Sequence, residues 1–284
     1  YPVSLLNPKV INDLDLHGHG LKIVERRMSN FLPIDDRQYM AGTSKAEIGK
    51  FSAKDAERFD AYSERLEVIA EVLRDIVLKA PPNVVEGGWI SAMPELMKGA
   101  SLGQRIATLD TTARRDLLAL FGQSAGDWLD GWFESDPIKA VLGFDGIVGN
   151  FASPYTPGSA YVLLHHVFGE VNGKKGAWGH AIGGMGAISQ AILKACAAQG
   201  VDVRTDAGVR EILVEKGHAV GAVTEAGDEF RTRTVVSNLH PKLTYDRLID
   251  RSVLPADFNE RIDRYRSGSG TFRMNVAMSE LPRF

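Results

Sequence analysis

Gly183-Gly184-Met185-Gly186-Ala187-Ile188-Ser189-Gln190-Ala191 is the stretch on which the fold turns. Beyond its glycines, Ile188, Ile192 and Ala195 recur on one helical face, and Gly200 stands where a helix would end. The spacing predicts a helix over residues 187–199 with Gly200 just past its C-terminus. Glycines at a helix start carry no side chain and leave backbone N–H groups open to a close neighbour. Gly184-x-Gly186 matches the first half of G-x-G-x-x-G, with Ser189 where the last glycine belongs. A dinucleotide fingerprint follows a buried strand, and Ala177-Trp178-Gly179-His180 does not read as one. No acidic residue ends a partner strand at the right distance either. The turn is therefore expected to lie against a ligand or a backbone rather than to cradle a pyrophosphate.

Towards the C-terminus the character becomes β. Residues 201–204 read as a short strand, and 209–215, 218–224 and 229–238 as three β-runs. Lys216-Gly217 and Ala226-Gly227-Asp228 supply the turns of a meander. His240-Pro241 breaks the last run, a helix is expected over about 242–250, and 271–278 reads as a further strand.

Towards the N-terminus the pattern is helical. Ser52 is a good N-cap. Phe59, Tyr62, Leu66, Ile69, Leu73 and Ile76 follow at spacings of three and four, one stripe of a long amphipathic helix stopped by Pro81-Pro82. Shorter helices are expected between about Pro94 and Phe144, with Asp110 capping one and Asp136-Pro137 opening another. Residues 143–149 read as a glycine-punctuated loop and 161–168 as a short helix or buried segment. The first 50 residues look irregular or β-rich, with a strand over 21–25 and a turn at Asp35-Asp36.

The chain has 284 residues, 44% apolar and 24% charged, enough for a sizeable core and for nearly two domains. Lys and Arg number 33 against 36 Asp and Glu, which gives no basic excess to bind nucleic acid. Cys196 is the single cysteine, so no internal disulfide or cysteine-based metal site can form within one chain. No apolar run reaches the ~18 residues that span a bilayer, and no signal peptide opens the sequence. A cytoplasmic location is the default, or a mitochondrial one if an N-terminal segment is missing. Tyr1-Pro2-Val3-Ser4 reads like mid-domain sequence, so a fragment is expected.

Motifs for hydrolases and nucleotide triphosphatases are absent: there is no G-x-S-x-G, H-E-x-x-H or G-x-x-x-x-G-K-[ST]. His165 and His166 are neighbours that point apart on a helix, and His17/His19 lack further ligands at metal spacing, so no metal is expected. Trp128, Trp132, Phe133, Phe144, Phe151, Tyr155 and Tyr161 crowd the helical region, most expected in the core and some lining an apolar cavity.

The stretch from Gly183 to Ala191 resembles the G-G-M-G-x-[LI]-[ST]-x-A segment of phytoene-dehydrogenase-like flavoproteins. Val201-Asp202-Val203-Arg204-Thr205, Val209, Val220-Gly221-Ala222-Val223 and Val235-Val236-Ser237-Asn238-Leu239-His240-Pro241 follow in the same order. Ser4-Leu5-Leu6-Asn7-Pro8, Leu14-Asp15-Leu16, His19-Gly20-Leu21 and Phe272-Arg273-Met274-Asn275-Val276 extend the resemblance over nearly the whole chain. The subgroup it resembles is the pyridine nucleotide-disulfide oxidoreductase domain-containing proteins. The resemblance implies a mixed α/β (α+β) fold, part of a two-domain FAD/NAD(P)-binding flavoprotein with a β-meander and a helical substrate-domain layer. Residues 1–172 would belong to the substrate domain, 173–240 to the FAD-binding domain and 241–284 to the substrate domain again.

It further implies a FAD-dependent dehydrogenase or desaturase that moves hydride from a small apolar substrate to flavin. Such proteins bind the ADP half of FAD with an N-terminal G-x-G-x-x-G unit and close over the flavin with a C-terminal glycine-rich segment. This sequence contains neither, so FAD binding is expected of the intact protein. Cofactor contacts are expected at Val209, at Ser237 and Asn238, and at Gly183, Gly184 and Met185. No catalytic residue is named, because flavin supplies the hydride chemistry. The rival expectation is a cofactor-free interaction or regulatory protein on a remnant of the same fold. Membrane association is left open by the sequence but not indicated.

Overall fold

A computed structural model describes residues 2–35, 38–74, 76–85, 88–268, 272, 274 and 276–280. By contacts the chain divides into two compact units, one of residues 1–195 with 269–284 and one of residues 196–268.

The larger unit opens with α1 (Pro8–Asp13), capped by the Asn7 side chain, and β1 (Ile23–Glu25). A hairpin of β2 (Phe31–Pro33) and β3 (Tyr39–Ala41) follows. Asp35 closes its turn by accepting the Gln38 N–H, whereas Asp36 lies outside the described residues. Helices α2 (Lys45–Gly49) and α3 (Ala53–Arg74) come next. The stripe expected on α3 is the buried one: Tyr62, Leu66 and Ile69 lie in the core, and Phe59 and Leu73 pack against it.

Helix α4 (Gly88–Ala107) starts a turn and a half before the expected Pro94 and carries that proline inside it. Helices α5 (Thr111–Gly122), α6 (Ala125–Trp132) and α7 (Asp136–Asp145) complete the layer with α8 (Tyr161–His165). Asp110 caps α5 as expected, accepting the Ala113 N–H at 2.7 Å. The loop expected from residue 143 begins later, because α7 runs on to Asp145. Leu117, Leu120, Trp128, Leu129, Phe133, Ile138 and Val141 from these helices close one core.

One carboxylate ties this layer together. Asp55, in the first turn of α3, is fully buried and accepts the N–H groups of Glu134 and Ser135 at 2.9 Å and the Ser135 hydroxyl at 2.6 Å. Ser135 makes no side-chain cap of its own, so the N-terminus of α7 is capped from another helix. Burial alone would raise the Asp55 pKa. The hydrogen bonds from Ser135 and Glu134 outweigh that burial and hold it below the ordinary carboxylate range.

After α8 come β4 (Glu170–Val171), β5 (Lys174–Lys175) and β6 (Gly179–Ala181), the last antiparallel to β1. A short strand thus precedes the glycine turn where none was expected. It is three residues long and antiparallel, unlike the buried parallel strand a dinucleotide fingerprint requires. Helix α9 (Gly186–Ala198) then forms as expected, with Gly200 at φ +75° past its end.

The smaller unit holds the meander β7 (Val209–Glu215), β8 (His218–Thr224) and β9 (Glu229–Arg231), in that spatial order. Residues 201–204 are not a strand: they are exposed and unpaired, and Arg204 instead bonds Asp202 and lies over the Phe230 ring. The third run stops at Arg231 rather than 238, because the Thr232 hydroxyl takes the Thr234 N–H and turns the chain. The helix expected over 242–250 is α10 (Pro241–Leu243) followed by a π-helical turn, Thr244–Leu248. Helix α11 (Ala256–Arg264) closes the unit. The strand expected over 271–278 falls partly on Thr271, Arg273 and Asn275, which lie outside the described residues; Phe272, Met274 and residues 276–278 belong to no strand among the described residues.

Candidate functional site

In the larger unit a cavity of about 590 Å³ opens between β1, the end of α7, the residue after α8 and Trp178 just before β6. Its apolar walls are Val141, Phe144, Val148, Trp178 and Phe272, and Arg26, Asn30, Asp145 and His166 make its polar part. Asp145 stands in the last turn of α7, where the helix's negative end opposes its charge. His166 follows α8 directly, with Nδ1 3.5 Å from the Asp145 Oδ1, at ion-pair range and too long for a tight hydrogen bond. The His166 ring stacks on Trp178, centroids 5.3 Å apart. Strand pairing continues one residue past β1, the Arg26 N–H donating to the Trp178 carbonyl at 2.8 Å, and both residues line the cavity.

The electrostatics of the pair are inverted. Burial pushes the Asp145 carboxyl up to about 7, against the opposing pull of the Arg26 charge. Burial and the neighbouring His165 push His166 down to about 4, although Asp145 favours its protonated form. Near pH 6 the pair is therefore a neutral acid beside a neutral imidazole. His165 is edge-on to His166 and also lowered by burial. Three buried polar atoms near this cavity, Asn30 Oδ1, His165 Nδ1 and His166 Nε2, have no hydrogen-bond partner among the described residues. Such atoms are costly to leave unmet and tend to mark places where a further group binds.

Gly179 supports the arrangement. It pairs with Glu25 on one side and bridges Val3 on the other, and a Cβ there would sit 2.7 Å from the Val24 carbonyl oxygen. Gly179→Ala should open the β1–β6 pair at a cost of about 1–3 kcal/mol. Faster amide exchange at Arg26 is the measurement, and unchanged protection there would refute this reading.

The sequence-derived candidates lie elsewhere. Gly183 and Gly184 have φ +88° and +80° in the turn before α9, and Met185 is exposed beside them. In the smaller unit Val209 begins β7 opposite Thr224, half exposed. Ser237 lines a separate cavity of about 520 Å³, its hydroxyl 3.0 Å from that of Thr244, and Asn238 is exposed next to it. Val209 does not line that cavity. Among the described residues no group of three or more His, Cys, Asp and Glu is placed to hold a metal, and no helix is long and apolar enough to cross a membrane.

No family model matches the chain. It is 35% identical to the rat pyridine nucleotide-disulfide oxidoreductase domain-containing protein 2 over 309 aligned residues, covering 100% of the chain and 52% of the relative. It is 38% identical over 96 residues to the neurosporene-forming phytoene desaturase of Cereibacter sphaeroides, covering 34% of the chain and 18% of the relative. The chain matches the family its motifs resemble. It spans about half the length of the curated relatives it matches in full. Among solved structures, a putrescine oxidase bound to putrescine superposes with a TM-score of 0.52 at 16% identity, covering 94% of the chain and 52% of the enzyme. That likeness establishes the mixed helix-and-sheet, amine-oxidase-like fold. The relatives the chain matches include an oxidoreductase-domain protein and a desaturase.

The family reading directed attention to glycines and strand ends and missed Asp145 and His166. A signal was present for the first. The residues three and four away from Asp145 are Val141, Leu142, Val148 and Gly149, so no helical neighbour offers the carboxylate a charge. Of the seven aromatics singled out, Trp128 and Phe133 are buried and Trp132 packs against the core, whereas Phe144, Phe151, Tyr155 and Tyr161 are exposed. Phe144 is the one that walls the cavity beside Asp145.

Proposed function

We propose that the intact protein is a FAD-dependent oxidoreductase of the dehydrogenase or desaturase kind, taking hydride from a small apolar substrate. The observation that carries this is the match over the whole chain to an oxidoreductase-domain protein, in the motif order of the phytoene-dehydrogenase-like family. The residues present fit a flavin at one place. A Cβ at Gly184 or Gly186 would meet no atom within 4 Å, so the turn before α9 is open to a flat neighbour, and positive φ makes glycine the residue that holds it. Gly183, Gly184 and Met185 would then offer backbone to the cofactor. Bound flavin supplies a two-electron acceptor for hydride.

The chain's own part is to hold the substrate. Phe144, Trp178, Val141 and Phe272 form apolar walls, and Asp145 with His166 gives the cavity one polar end able to hold a proton. The test is spectroscopic. Purified full-length protein saturated with FAD should absorb near ~450 nm and bleach anaerobically with a donor. Absence of flavin binding would overturn the reading and favour a cofactor-free interaction protein on the same fold.

A further inference from the structure

The Arg26–Asn30–Asp145–His166 cluster shares its cavity with a Trp178–Phe144–Phe272 wall, and the balance of charge selects what can enter. An anionic head would meet the Asp145 carboxyl. A cationic head would meet the Arg26 guanidinium, which already donates to the Ser29 carbonyl and interacts with Asp145. What the polar end leaves unmet among the described residues is acceptor capacity. His166 presents Nδ1 to Asp145, which leaves Nε2 an acceptor whenever the carboxylate is ionised, and Asn30 Oδ1 is a second buried acceptor without a partner among the described residues. The 3.5 Å contact with His166 leaves the carboxylate further oxygen capacity.

We propose that this cavity binds a ligand with an apolar, flat body and a neutral hydroxyl head, the hydroxyl donating to the Asp145 carboxylate beside His166. The body stacks against Trp178 and Phe144, and the volume of about 590 Å³ lies in the range that encloses a small organic molecule. An ionised Asp145 is the better acceptor, so binding strengthens as pH rises through about 7. The groups facing that carboxyl are Arg26 from the end of β1, His166 with His165 behind it from α8, and Tyr62 from α3. None of them reverses that sign: Arg26 stays charged throughout, His165 and His166 are held neutral by burial, and the buried Tyr62 hydroxyl is held far above its ordinary range. Naming the ligand as the substrate rests on the oxidoreductase reading above, whereas its binding does not.

The test uses one skeleton with three heads. Cinnamyl alcohol, cinnamylamine and cinnamate are titrated into the full-length protein at pH 8 by calorimetry, with tryptophan fluorescence as the second readout. The alcohol should bind about tenfold more tightly than either charged analogue, and Asp145→Asn should weaken it about tenfold. From pH 6 to pH 8 the wild-type affinity for the alcohol should rise about tenfold, following the ionised fraction of a carboxyl at about 7. Charged analogues that bind as tightly, or an alcohol whose binding ignores both Asp145→Asn and pH, would overturn the proposal. If Asp145→Asn does not fold, the pH series on the wild type decides alone. Protein that binds the alcohol yet shows no flavin spectrum would keep this site and lose the oxidoreductase reading; the converse result would do the opposite.

Discussion

Replacing Asp55 by Ala should lower the unfolding free energy by about 4 kcal/mol. The side chain is 0% exposed and serves Glu134 and Ser135 with three hydrogen bonds of 2.6–2.9 Å. Its removal strands two N–H groups and a hydroxyl in a site closed to water, each worth about 1–3 kcal/mol when left unmet. It also uncaps α7, whose own Ser135 makes no cap. Asp55→Asn keeps one acceptor oxygen and should cost roughly half as much. Because the folded-state pKa of Asp55 is depressed, its stabilisation is present above the unfolded carboxylate value near 4 and is lost as pH falls through the folded one. The deficit of Asp55→Asn should therefore shrink in acid. Denaturant midpoints read by tryptophan fluorescence report this, since Trp89, Trp128, Trp132 and Trp178 all lie in the larger unit. A deficit under about 1 kcal/mol at pH 7 would show that the network contributes nothing beyond an exposed pair. Failure of this kind would also displace Val141, Phe144 and Asp145, because α7 carries one side of the cavity.

Asp145→Asn should make stability strongly dependent on pH where the wild type shows little dependence from this pair. In the unfolded chain His166 gains a proton below about 6.5 and Asp145 loses one above about 3.9. In the folded protein the order is reversed, with His166 at about 4 and Asp145 at about 7. Between those limits the unfolded pair is carboxylate plus imidazolium and the folded pair is carboxylic acid plus imidazole. Both bind one proton, so folding takes up none and the slope of stability against pH from the pair vanishes.

Removing the acid exposes the imidazole's share. From pH 4 to about 6.5 the unfolded state of Asp145→Asn binds one proton more than the folded state, so stability rises with pH by about 1.4 kcal/mol per unit. His166→Gln should show the opposite sign, with stability falling as pH rises from about 4 to 7, because the folded carboxyl retains a proton the unfolded one has lost. Thermal or denaturant midpoints at pH 4.5, 5.5 and 6.5, each taken against wild type, separate the two. Offsets that stay constant with pH in both variants would contradict the assignment of Asp145 and His166 as an inverted pair.

Much of the fold is legible residue by residue. The α3 stripe, the Asp110 cap, α9 with Gly200 and the two long meander strands follow from periodicity, capping and turn chemistry within about twenty residues of chain. Errors arose where a local preference lacked a tertiary partner or acquired an unexpected one. Val201 to Arg204 has β-forming residues but no ladder to join. Gly179 to Ala181 does not read as a buried strand and forms a short one because β1, more than 150 residues earlier, pairs with it. Helix α7 continues through Gly143, which is buried within it.

The sequence by itself determined the family resemblance, the helical layer, the glycine turn before α9 and the meander, since each depends on neighbours a few residues apart. Tertiary structure alone decided the cavity. Arg26, Asn30, Asp145, His166 and Trp178 come from segments scattered over some 150 residues and meet only after β1 pairs with β6 and α7 docks on α3. The chemistry of Asp145 and His166 rests on loss of water and on charges brought close across the fold. Neither is a property of a residue or of its chain neighbours, which is why two ordinary side chains exchange their protonation order only in the folded protein.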